Sequence, residues 1–273
     1  MSLSEAWSPL AIFATLTPKD PARRPVRGVS YGDHPRQRLD VHVPASGAGD
    51  WPVLVFFYGG AWNSGRRKDY GWAARALAAQ GFVVVTPDYR LYPEVRYPAF
   101  LEDAALAVRW TLEHAPRLGG DPGRLSLAGH SAGAYIAAML ALDPSHLAAA
   151  EVPSGVVKAF AGLSGPYAFL PLDGEITTRT FGHVDDLPAT QPIGFARAGA
   201  PAAFLATGEG DTTVRPRNTR KLAKALREAG AVVEEQVYPS LDHAAPLLAL
   251  SRPFRRKAPV LAQMTGFLKA KAG

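Results

Sequence analysis

Residues 129–133 read Gly129, His130, Ser131, Ala132, Gly133. Glycine two places to either side of a serine suits a tight strand-to-helix turn, where a Cβ at either flank would strike the neighbouring backbone and the hydroxyl is pushed out above a sheet. The chemistry open to such a hydroxyl is nucleophilic attack on an electrophilic carbon. At pH 7 serine is a weak nucleophile, so it needs a base, and the base needs a carboxylate to orient it. Of the seven histidines, His146, His183 and His243 follow Ser131, and only His243 also follows the candidate acids at a strand end. Those acids lie in Gly208, Glu209, Gly210, Asp211, directly after the apolar run 202–207. Asp211 is the choice, because the glycines around it let the chain bend sharply; Glu209 is the alternative, suited to holding the loop. Asp242 adjoins His243, and side chains that close in sequence usually diverge. Negative charge developing on the attacked group calls for two N–H donors, each typically worth about 10²- to 10³-fold in rate. Ala132 offers one at a helix start. Gly59 and Gly60, in Tyr58, Gly59, Gly60, Ala61, Trp62, are the candidates for the other.

These residues need elements to hold them. Leu39, Val41 and Val43 alternate with Asp40 and His42, the period of a half-buried strand, and an antiparallel leading edge is expected there. From Trp51 onward come continuous apolar runs at 52–57, 82–86, 124–128, 156–163 and 202–207, as in strands buried on both faces, and the series continues with a strand at 231–237. Helical spacing lies between them: Tyr70, Ala73, Ala74, Leu77, Ala78, with Asp69 as cap and Gly81 as stop, then Leu101, Ala104, Ala105, Val108, Leu112, and further stretches at 134–142, 216–229 and 258–270. Alternating buried strands and helices make an α/β protein with a mostly parallel sheet of about eight strands flanked by helices. Ligands collect at the carboxyl ends of such strands, where Ser131, Asp211 and Gly59 all fall. About 0.1 G-x-S-x-G matches are expected by chance at this composition, and a chance match need not fall between a buried strand and a helix.

Composition closes off other classes. The 273 residues are 47% apolar and 20% charged, too hydrophobic for disorder, and the absence of cysteine excludes disulfide scaffolds, thiolate nucleophiles and cysteine metal sites. The net charge of +6 invites an anionic partner, yet the basic clusters at 66–68 and 252–257 are short and match no nucleic-acid motif, so they read as solvated helix faces. No apolar run reaches membrane-spanning length. The patch 10–16 is bracketed by Pro9 and Pro18, with no Lys or Arg before Lys19, which argues against a secretory signal and for the cytoplasm.

Together these segments resemble the α/β-hydrolases of the hormone-sensitive-lipase type, with their bacterial carboxylesterase and kynurenine-formamidase-like neighbours. The resemblance runs from about Val29 to Phe267 and rests on Gly59, Gly60 and Trp62, on Asp88 to Glu94 with Tyr97, Pro98 and Leu101 to Ala104, on the elbow 129–133, and on Asp211 and His243. It implies the α/β-hydrolase fold and a serine carboxylesterase acting on short-chain or compact aryl esters through an acyl-enzyme. No metal or organic cofactor is implied. The partner is a small-molecule ester, and the sequence leaves pairing into a homodimer open. Tyr89, Arg90, Glu102 and Asp103 look structural, tying a loop to a helix. Tyr58 stands where relatives commonly carry histidine, which puts substrate preference in question. Arylformamidase activity is the alternative within the fold, and a non-catalytic ligand-binding protein the alternative outside catalysis. One domain over 1–273 is expected, with 165–200 as a small cap insertion. Tyr58, Trp62, His130, Phe181 and Phe195 are the candidate substrate-binding residues, and an amino-terminal arm with Trp7 and Phe13 is expected across the opening.

Overall fold

The computed structural model describes residues 9–273. Its sheet has eight strands: β1 (Ala22–Ser30), β2 (Arg38–Pro44), β3 (Trp51–Phe57), β4 (Val83–Pro87), β5 (Gly120–His130), β6 (Val157–Leu163), β7 (Ala202–Gly208) and β8 (Val233–Tyr238). They lie in the order β1-β2-β4-β3-β5-β6-β7-β8. The first two joins, β1 with β2 and β2 with β4, are antiparallel, and every join from β4 onward is parallel. The helices are α1 (Pro9–Leu16), α2 (Gly71–Ala79), α3 (Ala99–His114), α4 (Ala132–Leu142), α5 (Pro144–Ala149), α6 (Glu175–Phe181), α7 (Arg217–Glu228), α8 (Ala245–Leu248) and α9 (Val260–Ala272).

The continuous apolar runs became the central strands because helices cover them on both faces. On one face α9 spans β5, β6 and β7 and touches α2; on the other α4 lies over β5 and β6, with α3 behind it. In β3 the residues from Val53 to Phe57 are wholly buried, and all of α4 is buried too. A helix apolar on every side is a core helix, and this one begins at Ser131. The sequence pattern missed β1. Its ARRPVRGVS is too charged to read as a strand, and its exposure alternates as an edge strand's does.

Two local expectations need correction. Arg67 does not lie on a solvated face: it is 7% exposed and joins two carboxylates, with Nε 3.1 Å from Asp40 Oδ1 and Nη1 against Asp88 Oδ2. Asp40 also accepts from the Gly28 N–H at 2.7 Å, so this cluster fastens the antiparallel edge to the loop before α2. Asp69 does not cap α2. It belongs to a preceding 3-10 turn and accepts from Arg66 Nε at 3.0 Å, while Tyr70 stands at the cap. The block around Arg90 does tie a loop to a helix, because the wholly buried Asp103 on α3 accepts from the Arg90 N–H and guanidinium and from Gln37 Nε2. Among the described residues, no helix is long and apolar enough to cross a membrane.

Candidate active site

Ser131 links β5 to α4 with φ 54° and ψ −122°, a region costly for any side-chain-bearing residue. Two glycines make the turn possible. A Cβ on Gly129 would run into the Gly133 carbonyl, and one on Gly133 would run into the Phe57 carbonyl at the end of β3. The turn is held from outside by the Ser131 N–H donating to Leu163 O at 2.9 Å. The hydroxyl therefore stands at the amino end of an eleven-residue buried helix, whose first N–H groups have no acceptor within it.

His243 and Asp211 arrive on the loops after β8 and β7. These loops are fitted to each other: Gly210 N–H donates to Leu241 O at 3.0 Å, Glu209 N–H to Tyr238 O at 2.9 Å, and a Cβ on Gly208 would strike the Leu241 carbonyl. The result is a continuous chain of hydrogen bonds. His243 Nε2 is 3.0 Å from Ser131 Oγ, and its Nδ1 is 2.8 Å from Asp211 Oδ2. The other oxygen, Asp211 Oδ1, accepts from the Thr213 and Val214 N–H groups at 3.0 and 2.8 Å. The imidazole thus donates a hydrogen bond from Nδ1–H to the carboxylate and keeps an Nε2 lone pair for the serine hydroxyl. The competing acids are occupied elsewhere: Glu209 pairs with Arg220, and Asp242 accepts from the Ala244 and Ala245 N–H groups.

His130 is 6% exposed and contributes differently from expectation. Its Nε2 lies 3.0 Å from the His243 carbonyl, which can only accept, so Nε2 carries the proton. Burial, reinforced by nearby His243, pushes its pKa down to about 3 and keeps the ring neutral. His130 fastens the nucleophile's strand to the base's loop and is not among the residues lining the cavity.

The loop after β3 brings Gly59 against the nucleophile: a Cβ there would lie 3.1 Å from Ser131 Cβ. Gly60 turns at φ 130°, its carbonyl accepting from the Asn63 and Ser64 N–H groups at 3.1 and 3.0 Å. Ala61 and Trp62 follow at φ 49° and 59°. Beside Ser131 opens a cavity of about 340 Å³ whose wall includes Ala61, Trp62, Ala132 and Phe169. Ala61 was missed by sequence reasoning, which favours glycine wherever φ is positive.

Besides His130, three further expected substrate-binding side chains lie off that wall. Tyr58 is 1% exposed; its hydroxyl accepts from Arg36 Nη2 at 2.9 Å and its ring stacks on Tyr89 at 4.6 Å. The phenol is thus a strut in the core. Phe181 is wholly buried behind the wall, edge-on to Trp62 at 4.9 Å, and Phe195 sits in a 3-10 turn outside the lining. Phe13 packs on Trp72 and Phe254 and is likewise absent from the lining, and Trp7 lies outside the described residues. Segment 165–200 carries α6 and two 3-10 turns, and contributes Phe169, Asp173 and Ile176 to the cavity.

Residues 39–226 match the BD-FAE family, well over half of the chain. The chain belongs to the BD-FAE family. This BD-FAE member is 35% identical over 257 residues to carboxylesterase NlhH of Mycobacterium tuberculosis, covering 85% of this chain and 78% of that protein. It is 31% identical over 246 residues to the probable isoprenylcysteine alpha-carbonyl methylesterase ICMEL1 of Oryza sativa, covering 80% and 56%. The chain spans about half the length of the plant methylesterases it matches. Among solved structures, an inhibited esterase B from Lactobacillus rhamnosis superposes with TM-score 0.84 at 18% identity, over 96% of this chain and 92% of that one. The esterase Est2 of Thermogutta terrifontis, with propionate bound, gives 0.74 at 24%, over 92% and 94%. The BD-FAE member therefore has the α/β-hydrolase fold.

Proposed function

We propose that the protein is a serine carboxylesterase for compact esters. The observation that carries the reading is the unbroken hydrogen-bonded line from Asp211 through His243 to Ser131, ending at a cavity wall. His243 Nε2 takes the Ser131 proton as Oγ attacks the ester carbonyl, and Asp211 holds the resulting imidazolium in place. The N–H of Ala132, with those of Gly59, Gly60 and the adjoining Ala61, stabilises the oxyanion. Collapse expels the alcohol, which takes the proton from His243. Water then attacks the acyl-enzyme by the same route, releasing the acid and restoring the serine. Segment 165–200 acts as a small cap. A volume of about 340 Å³ suits a short acyl chain or a compact aryl group. The relatives' names, carboxylesterase and methylesterase, support a carboxylic ester as substrate.

The test is a pre-steady-state burst of p-nitrophenol from p-nitrophenyl butyrate, together with covalent labelling by a fluorophosphonate. Both are expected in the wild type and lost in Ser131→Ala. Equal turnover by that variant would overturn the reading, and N-formylkynurenine hydrolysed faster than simple esters would move the assignment to arylformamidase.

A further inference from the structure

Two arginines and one aspartate are among the residues lining the cavity beside Ser131. Arg215, just before α7, and Arg217, its first residue, both line it, and Asp173 joins them from segment 165–200. Neither arginine makes an ion pair or a side-chain hydrogen bond with any described residue. Their neighbours differ: Arg220, one turn further along α7, is paired with Glu209, and Arg227 with Glu235. Two unpaired arginines against one aspartate leave this cavity a local positive excess near the reacting serine.

Trp62, on the wall of the same cavity, is 3% exposed, and its indole Nε1 is buried without a hydrogen-bond partner among the described residues, so it offers the cavity no donor. The wall thus offers two unpaired arginines, side chains whose planar, charged fork favours a carboxylate over an uncharged ester group.

We propose that Arg215 and Arg217 select esters that carry a free carboxylate, such as monoesters of dicarboxylic acids or esters of carboxylated phenols. The inference rests on Ser131 being the esterase nucleophile. Asp173 tempers the field and discriminates against dianions. Because both arginines are exposed, the attraction is screened by salt and acts more on capture of the substrate than on the chemical step.

The experiment compares kcat/KM for p-nitrophenyl hydrogen glutarate, with its carboxylate on the acyl side, and for 3-acetoxybenzoate, with its carboxylate on the alcohol side, each against the uncharged parent ester. The wild type is expected to prefer one or both anionic esters by roughly 10-fold at low salt, and the arm that shows the preference identifies the side bound. Raising NaCl from about 0.02 to about 0.5 M should erode that ratio without any substitution. In Arg215→Gln/Arg217→Gln the anionic ester should lose about 10-fold more than the neutral one, and Asp173→Asn should shift the ratio the other way. An anionic-to-neutral ratio of one that ignores both salt and the double substitution would overturn the proposal. Failure of the esterase reading itself would look different, since fluorophosphonate labelling of Ser131 would then be absent whatever the ester's charge.

Discussion

Asp211 is an acceptor at both oxygens, with two backbone N–H groups on one and the His243 ring on the other. Asparagine fits the space but not the pattern. Its carbonyl would face the two backbone donors, leaving its NH₂ toward His243 Nδ1 and forcing the proton onto Nε2, where a base needs a lone pair. Asp211→Asn should therefore fold normally and lose about 10³- to 10⁴-fold in kcat with little change in KM, as steady-state kinetics would show. Tyr58→Phe should do the opposite. It removes the acceptor of Arg36 Nη2, which keeps Gly65 O, so urea denaturation should show a loss of about 1 kcal/mol while KM for short esters stays put. An unchanged midpoint with a raised KM would return Tyr58 to the substrate. At this scale Ser131, Asp211 and His243 could be read from the sequence, because a nucleophile, an acid and a base in that order after buried strands leave few candidates. The direction of a side chain could not: Tyr58 and Phe181 stand beside wall residues in sequence or space yet point into packing that only the fold creates.

Among the elements, the strands from β3 to β7 were legible as apolar runs and β8 as the next strand of the alternating series, whereas β1 was not, since an edge strand can carry four polar or charged residues and still pair. Segment 165–200 gave no periodic signal because side chain–backbone hydrogen bonds hold it more than an apolar stripe does. Asn218 on α7 sends its Oδ1 to the Tyr167 and Ala168 N–H groups at 3.0 and 2.9 Å, and Gln191 Oε1 accepts from Phe169 N–H at 2.8 Å. Asn218→Ala would leave two N–H groups to find other acceptors, at about 1–3 kcal/mol each if they stay buried. Hydrogen exchange should quicken across residues 166–170, and KM should rise as the wall around Phe169 loosens. Exchange confined to distant segments would show that this tie is dispensable.

For the molecule as a whole, acid stability turns on two histidines in the sheet. Burial lowers the pKa of His42 on β2 to about 4, and that of His130 to about 3, against about 6.5 in an unfolded chain. The unfolded chain binds these protons first as pH falls. Stability from both is therefore complete above about pH 6.5 and drains away between there and the folded values, at up to about 1.4 kcal/mol per pH unit for each. Urea midpoints at pH 7.5, 6 and 5 should fall steadily, and His42→Leu should flatten the decline; a wild-type midpoint level down to pH 5 would contradict this. Sequence placed His42 on a strand but could not show it buried, because its strand reads as alternating and half-wet. The mutual fit of the loops after β7 and β8 bears on how substrate range can be re-engineered. With Gly208 set against Leu241, and Glu209 and Gly210 bonded to the 238–241 turn, grafting either loop alone from a relative would break a matched seam. Chimeras should exchange residues 208–214 and 238–243 as one cassette.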